Sequence, residues 1–171
     1  AGQHFAAHLE CLPAIRLRLA GFSTTQTLAD ELRPACAAEG WRADVSQAHF
    51  GEAIAELMSP QEDRDALLVF LDLDGFAPRD WRNSTADGFK LLTERAELLG
   101  DALGTFAERS RIPLLINTIP SASAPTAGLL DRRHEMGLRR SIDIINALIL
   151  GVAERSGRIA VIDADQALAE L

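Results

Sequence analysis

The sequence predicts an α/β fold, a three-layer sandwich in which a five-stranded parallel sheet lies between helices. Two observations carry that prediction. Short apolar or alternating runs suited to strands recur five times, and a helical pattern follows each of them. Two of these runs, Ala66 to Leu71 and Ile112 to Asn117, are nearly unbroken in apolar residues, as central parallel strands are when helices cover both faces. Strict alternation gives right-handed crossovers and a doubly wound sheet. The expected strand order is flavodoxin-like, 2-1-3-4-5.

The first strand is expected from Ile15 to Ala20, where Ile15, Leu17 and Leu19 alternate with Arg16 and Arg18. A helix from about Thr25 to Glu39 follows and ends at Gly40, a residue suited to the position after a helix. Pro34 inside that pattern predicts a kink or an early stop. Trp41 to Ser46 is a weaker strand, and Phe50 to Met58 a short amphipathic helix closed by Ser59-Pro60. After the run at Ala66 to Leu71, a long helix from Ser84 to about Arg109 repeats apolar residues every three or four positions. Ile112 to Asn117 is the fourth strand, and Thr118 to Gly128, rich in Pro, Ser, Ala and Thr, is a loop. Ser141 to Ala153 is helical, Ile159 to Ile162 is the fifth strand, and Ala164 to Leu171 begins a last helix.

The 171 residues suit one domain with a sizeable core, without repeats or linkers. Net charge is −8, which argues against a nucleic-acid partner. No apolar run approaches a membrane span and no segment resembles a signal peptide, so the expected setting is cytoplasmic, without a membrane partner. Cys11 and Cys36 are too few for a disulfide framework, and the four histidines form no compact set, so no metal site is expected in this domain. Trp41 and Trp81 flank strands and read as packing or lid residues.

Polar residues gather where the strands end. Ser23-Thr24-Thr25, Ala48-His49-Phe50-Gly51, Asp72-Leu73-Asp74-Gly75, Asn117-Thr118 and Asp163-Ala164-Asp165 all fall at the carboxyl edge of the expected sheet. That edge is where open α/β sheets hold ligands. A crevice formed by Ser23, Gly51, Asp74 and Asn117 is therefore expected, with helix capping as the simpler role for any one of these residues.

The run Gly21-Phe22-Ser23 after the first strand resembles the first block of the SGNH hydrolases. The resemblance implies Ser23 as nucleophile, with Gly51 at the oxyanion hole and with Asp74 and Asn117 as oxyanion or crevice residues. The third block departs from the family, because Asp72-Leu73-Asp74-Gly75 stands where Gly-x-Asn-Asp belongs, and no Asp-x-x-His block supplies a base before Leu171. A serine without a positioned base is a poor nucleophile.

A closer resemblance is to the amino-terminal SGNH-like region of FkbH-like proteins. It rests on Leu19-Ala20-Gly21-Phe22-Ser23-Thr24-Thr25 with Leu28 and Leu32, on Leu114 to Pro120, on Ile145 to Leu148 and on Val161-Ile162-Asp163. It implies one SGNH-like domain over residues 1–171, the amino-terminal part of a longer protein. A haloacid dehalogenase-type phosphatase domain would follow, with magnesium belonging to that linked domain and no cofactor to this one. It also implies an accessory or recognition role in a protein that loads a glyceryl group onto an acyl carrier protein for polyketide extender units. Arg132, Arg133, Arg139 and Arg140 are then the candidate contact with an acidic carrier protein, as a local basic exception in an acidic chain.

Two alternatives stand beside this reading. One is a free-standing SGNH-type ester hydrolase with Ser23 as nucleophile. The other is a haloacid dehalogenase-type phosphatase in which Asp72 attacks phosphate, Asp74 serves as acid and base, and Thr118, Asp163 and Asp165 supply later motifs. Against the latter, Phe76 stands where a threonine follows Asp-x-Asp-Gly, and two strands precede the motif.

Overall fold

In the computed structural model, which describes residues 11–77, 86–120, 133 and 137–170, five strands form one sheet in the order β2-β1-β3-β4-β5. They are β1 (Ala14–Gly21), β2 (Arg42–Gln47), β3 (Ala66–Phe70), β4 (Leu114–Asn117) and β5 (Ile159–Ile162). Every pairing is parallel, with Leu19 beside both Gln47 and Leu68, Val69 beside Ile116, and Asn117 beside Ile162. Fold class and strand order are those the sequence predicts. The helices are α1 (Gln26–Ala38), α2 (Ala53–Met58), α3 (Leu73–Phe76), α4 (Ala86–Arg109), α5 (Leu138–Glu154) and α6 (Ala164–Ala169).

The element ends differ from expectation for local reasons. α1 continues through Pro34 to Ala38, although proline leaves the Asp30 carbonyl without its helical N–H partner. Gly40, just past the end, has φ +84°, as a left-handed helix terminator requires. α2 starts at Ala53 and not at Phe50, because Gly51 at φ +81° turns the chain out of helical geometry. α5 begins at Leu138, one turn before Ser141, which draws Arg139 and Arg140 into its first turn. α3, a single turn absent from the sequence reading, exists because Asp72 caps it by accepting the Gly75 N–H at 2.7 Å.

Strand alternation sorts the core into two unequal layers. On one face Leu67, Val69 and Leu71 meet Leu114 and Ile116, beneath Leu99, Leu103 and Phe106 of α4 and Ile142, Ile145 and Ile149 of α5. On the other face Leu17, Leu19, Val45 and Ala66 pack against Ala29, Leu28 and Leu32 of α1. The expectation that both faces of β3 and β4 are covered holds fully on the first face alone. On the second, α6 buries none of its residues, and Phe70 and Ile162 remain 38% and 47% exposed.

Polar links fasten the layers. Arg18 of β1 is ion-paired with Glu56 of α2, with side chains only 12% and 9% exposed, and its guanidinium also donates to the Gln47 carbonyl at 2.9 Å. At the amino edge Arg16 holds Asp65 at 3.1 Å and donates its backbone N–H to the same carboxylate at 2.7 Å. This pairing raises the Arg16 guanidinium and holds the Asp65 carboxyl below its ordinary value, chiefly through the side-chain hydrogen bond.

Candidate functional site

β1 and β3 lie side by side, yet the chain between them goes out to β2 and returns. Their carboxyl ends therefore mark the point where strand order reverses, the position at which doubly wound sheets bind ligands. Two side chains from these ends meet there. Ser23, two residues beyond β1, donates its hydroxyl to Asp72 Oδ2, just beyond β3. Asp72 Oδ1 takes the Gly75 N–H, so one donor holds each carboxylate oxygen.

The backbone around this pair is tightly set. A Cβ on Gly75 would lie 2.6 Å from the Phe22 carbonyl carbon and oxygen and 2.9 Å from Asp72 Oδ2. Glycine alone allows the α3 turn to approach the Ser23 loop this closely. The Phe22 ring meets the buried Phe76 ring edge-on, with centroids 5.1 Å apart. Arg95 of α4 donates to the Phe76 carbonyl at 2.5 Å. Beside Ser23, Thr25 donates to Gln47 Oε1 at 2.9 Å, tying the start of α1 to the end of β2.

Asn117, buried at the end of β4, is occupied by backbone. Its Oδ1 accepts the Leu71 N–H, and its Nδ2 donates to the Leu71 and Thr118 carbonyls, all at 2.8 Å. Both amide protons are engaged, so Asn117 fixes the peptide leading into Asp72 and offers no donor to an oxyanion. Asn146 of α5 repeats the device one strand over, holding the Ile119 N–H at 2.8 Å and its carbonyl at 2.9 Å. Thr118 accepts the Ala164 N–H at 2.9 Å, and Asp163 caps α6.

The remaining sequence-predicted residues are distributed along the same edge and beyond it. Gly51 occupies the turn before α2, and Asp74 is exposed on α3. His49, the one histidine among the described residues, is exposed on the turn after β2, and among the described hydrogen bonds none joins it to Ser23. Arg133 is exposed, Arg140 is exposed and Arg139 is half-buried, the last two in the first turn of α5. Arg132, His134 and Trp81 lie outside the described residues.

Sequence reasoning names Ser23 and Asp72 for different chemistries and not as partners. The signal is present in the expected strand order, because 2-1-3-4-5 makes the ends of strands one and three neighbours. Gly75 and Asn146 carry no comparable signal, since their roles are close approach and a single backbone clamp.

The phosphatase alternative meets this geometry only in part. Asp72 ends a central strand, and Thr118 follows the adjacent β4, as that reading requires. The other neighbour of β3 is β1, and it brings Ser23 in place of a carboxylate. Asp163 follows β5, two strands from β3 and so roughly 10 Å away by sheet spacing alone. Among the described residues no three His, Cys, Asp or Glu side chains gather as a metal site. These residues do not fit a bound magnesium ion.

No protein-family model matches the chain, and no curated protein matches it. Among solved structures it is similar to the crystal structure of the N-terminal part of the protein BF1531 from Bacteroides fragilis, which contains a phosphatase domain and is complexed with Mg. The TM-score is 0.78 at 12% identity, over 98% of this chain and 46% of that one. The likeness establishes the α/β fold, and the chain spans less than half of that structure's length. No helix among the described residues is long and apolar enough to cross a membrane.

Proposed function

We propose that this chain is a recognition domain of a phosphatase-linked protein of the FkbH-like kind, and that the Ser23–Asp72 crevice receives a substrate end and does not cleave it. The observation that carries this reading is the crevice itself. A hydroxyl donates to a carboxylate at the switch point, and the Gly75 N–H holds that carboxylate, with neither a metal cluster nor an imidazole on the pair among the described residues. Such a pair orients hydroxyl or amide donors well and activates a nucleophile poorly. The structure that the chain resembles in fold contains a phosphatase domain, which supports placing this chain in a phosphatase-linked protein. The finer part of the proposal rests on the sequence resemblance: the group handled is a glyceryl unit destined for an acyl carrier protein. Arg133, Arg139 and Arg140 are the described members of the basic patch offered to that carrier. Arg139 and Arg140 stand in the first turn of α5, which has no acidic residue, and the helix dipole does not favour cations there.

A second reading has one specific observation in its favour. Asp72 and Thr118 end adjacent central strands in the manner of a haloacid dehalogenase-type phosphatase, so Asp72 and Asp74 are its catalytic candidates.

One set of assays separates these readings. The purified chain is incubated with p-nitrophenyl phosphate and magnesium, and separately with p-nitrophenyl acetate. The recognition reading expects turnover of neither. In the full gene product it expects Asp72→Asn to raise KM with kcat nearly unchanged, the mark of lost uniform binding. Magnesium-dependent phosphatase activity in the chain alone, abolished by Asp72→Asn, would establish the second reading. Esterase activity abolished by Ser23→Ala would replace both with the hydrolase.

A further inference from the structure

At the amino edge of the sheet, away from the crevice, α4 and α5 part before they end. A Cβ on Gly100 would lie 3.0 Å from the Leu148 side chain, so the helices are in contact there. One turn on, a Cβ at Gly104 would meet nothing within 4 Å. Glycine inside a helix is unfavourable, and here no packed neighbour requires it. The hollow opened in this way measures about 730 Å³, within the roughly 300–1,000 Å³ typical of small-molecule sites. The half-buried Gly104, Ala107 and Val152 form its apolar base, and the exposed Glu108 and Arg155 stand at its rim.

We propose that this hollow binds a small zwitterion, an α-amino acid with an apolar side chain. The second arginine of the hollow is already engaged: Arg158 Nη1 donates to the Ser110 carbonyl at 2.7 Å, just past the end of α4. Arg155 is not. Its side chain folds back along α5, so that a Cβ on Gly151 would lie 3.6 Å from Nη1, and its guanidinium has no hydrogen-bond or ion-pair partner among the described residues. The Glu108 carboxylate has none either. One unpaired cation and one unpaired anion thus line the same cavity without meeting, and a zwitterion complements both. The Arg155 fork takes a carboxylate through two parallel N–H···O bonds. Glu108 takes the ammonium, which the carboxyl-terminal ends of α4 and α5 also favour through their dipoles. The ligand's side chain lies on the apolar base. A phosphate or dicarboxylate would face Glu108 uncompensated, and a simple amine would leave Arg155 unused. The site lies at the opposite edge of the sheet from Ser23 and does not depend on the recognition reading.

The test is calorimetric titration of the purified chain with phenylalanine, hydrocinnamate and phenethylamine, in about 0.15 M salt to screen the overall charge. The three ligands share a ring and chain; the second lacks the ammonium and the third lacks the carboxylate. The expected result is saturable one-to-one binding of phenylalanine, at least about fivefold tighter than either analogue. Glu108→Gln is expected to bring phenylalanine and hydrocinnamate within about twofold of each other, and Arg155→Gln to do the same for phenylalanine and phenethylamine. Gly104→Leu, which fills the hollow, is expected to abolish binding without lowering the urea midpoint. If that variant proves less stable, the two exposed charge variants decide the matter. Undetectable binding of phenylalanine, an analogue bound equally well by the unaltered chain, or inorganic phosphate bound more tightly would each overturn the proposal. So would preferences that survive both charge variants, or binding that survives Gly104→Leu. None of these outcomes alters the KM and kcat pattern that tests the recognition reading.

Discussion

Asn117 and Leu71 are locked by a pair of hydrogen bonds, the side-chain amide of one closing on the N–H and carbonyl of the other at 2.8 Å each. The amide acts as an extra rung of sheet at the point where β3 has ended, and it aims the next residue, Asp72, at Ser23.

Replacing Asn117 by alanine should therefore destabilise the fold by about 2–4 kcal/mol, since three backbone groups, the Leu71 N–H and the Leu71 and Thr118 carbonyls, lose this side-chain partner. Urea unfolding should show a lower midpoint with an unchanged slope. Asn117→Asp should recover part of the loss at most, because a carboxylate can hold the Leu71 N–H but not donate to its carbonyl. A midpoint unaffected by Asn117→Ala would mean that water replaces the clamp.

Two glycine substitutions should have opposite effects. Gly75→Ala forces a Cβ to within 2.6 Å of the Phe22 carbonyl, so the α3 turn and the Ser23 loop must separate. At Gly104, inside α4, a Cβ would meet nothing within 4 Å, and alanine there should stabilise by about 0.5–1 kcal/mol through helix propensity alone. Thermal unfolding of the two variants should shift in opposite directions, and a shift of the same sign would contradict the packing described.

The Arg16–Asp65 pair sets a pH dependence at the amino edge. The folded carboxyl of Asp65 lies below its unfolded value, so its contribution to stability is present above the unfolded pKa, near 4. It is lost as pH falls through the lower, folded value. Both groups are exposed and the effect is small and salt-sensitive. Urea midpoints measured from pH 6 down to about pH 2 should fall less steeply for Asp65→Asn than for the unaltered chain, and the difference should shrink in high salt. Parallel profiles would show that Asp65 contributes nothing.

The sheet was legible because each strand declares itself locally: alternation in β1, unbroken apolar runs in β3 and β4, a polar residue at each end. The Ser23–Asp72 partnership was less so. Asp72-Leu73-Asp74-Gly75 carries a motif-like pattern of its own, which draws Asp72 toward phosphate chemistry and away from its neighbour in space. The thin cover on the second face escapes the sequence for a physical reason. An apolar run specifies that a strand avoids water, and it does not specify what does the covering, so Phe70 and Ile162 look as buried as Leu67 and Ile116. The α3 turn was invisible because one short capping bond creates it.

The meeting of Ser23 and Asp72 has a consequence for the order in which the molecule assembles. The two residues are 49 positions apart, and β2 and α2 lie between them. Closing so long a loop is entropically unfavourable until the intervening elements have found their places. An early collapsed form with β1 docked on β2 would already hold most of α1, yet it would have no crevice. The crevice therefore exists only once β1 and β3 are paired, and a chain in which that pairing has not formed lacks it whatever helices it holds.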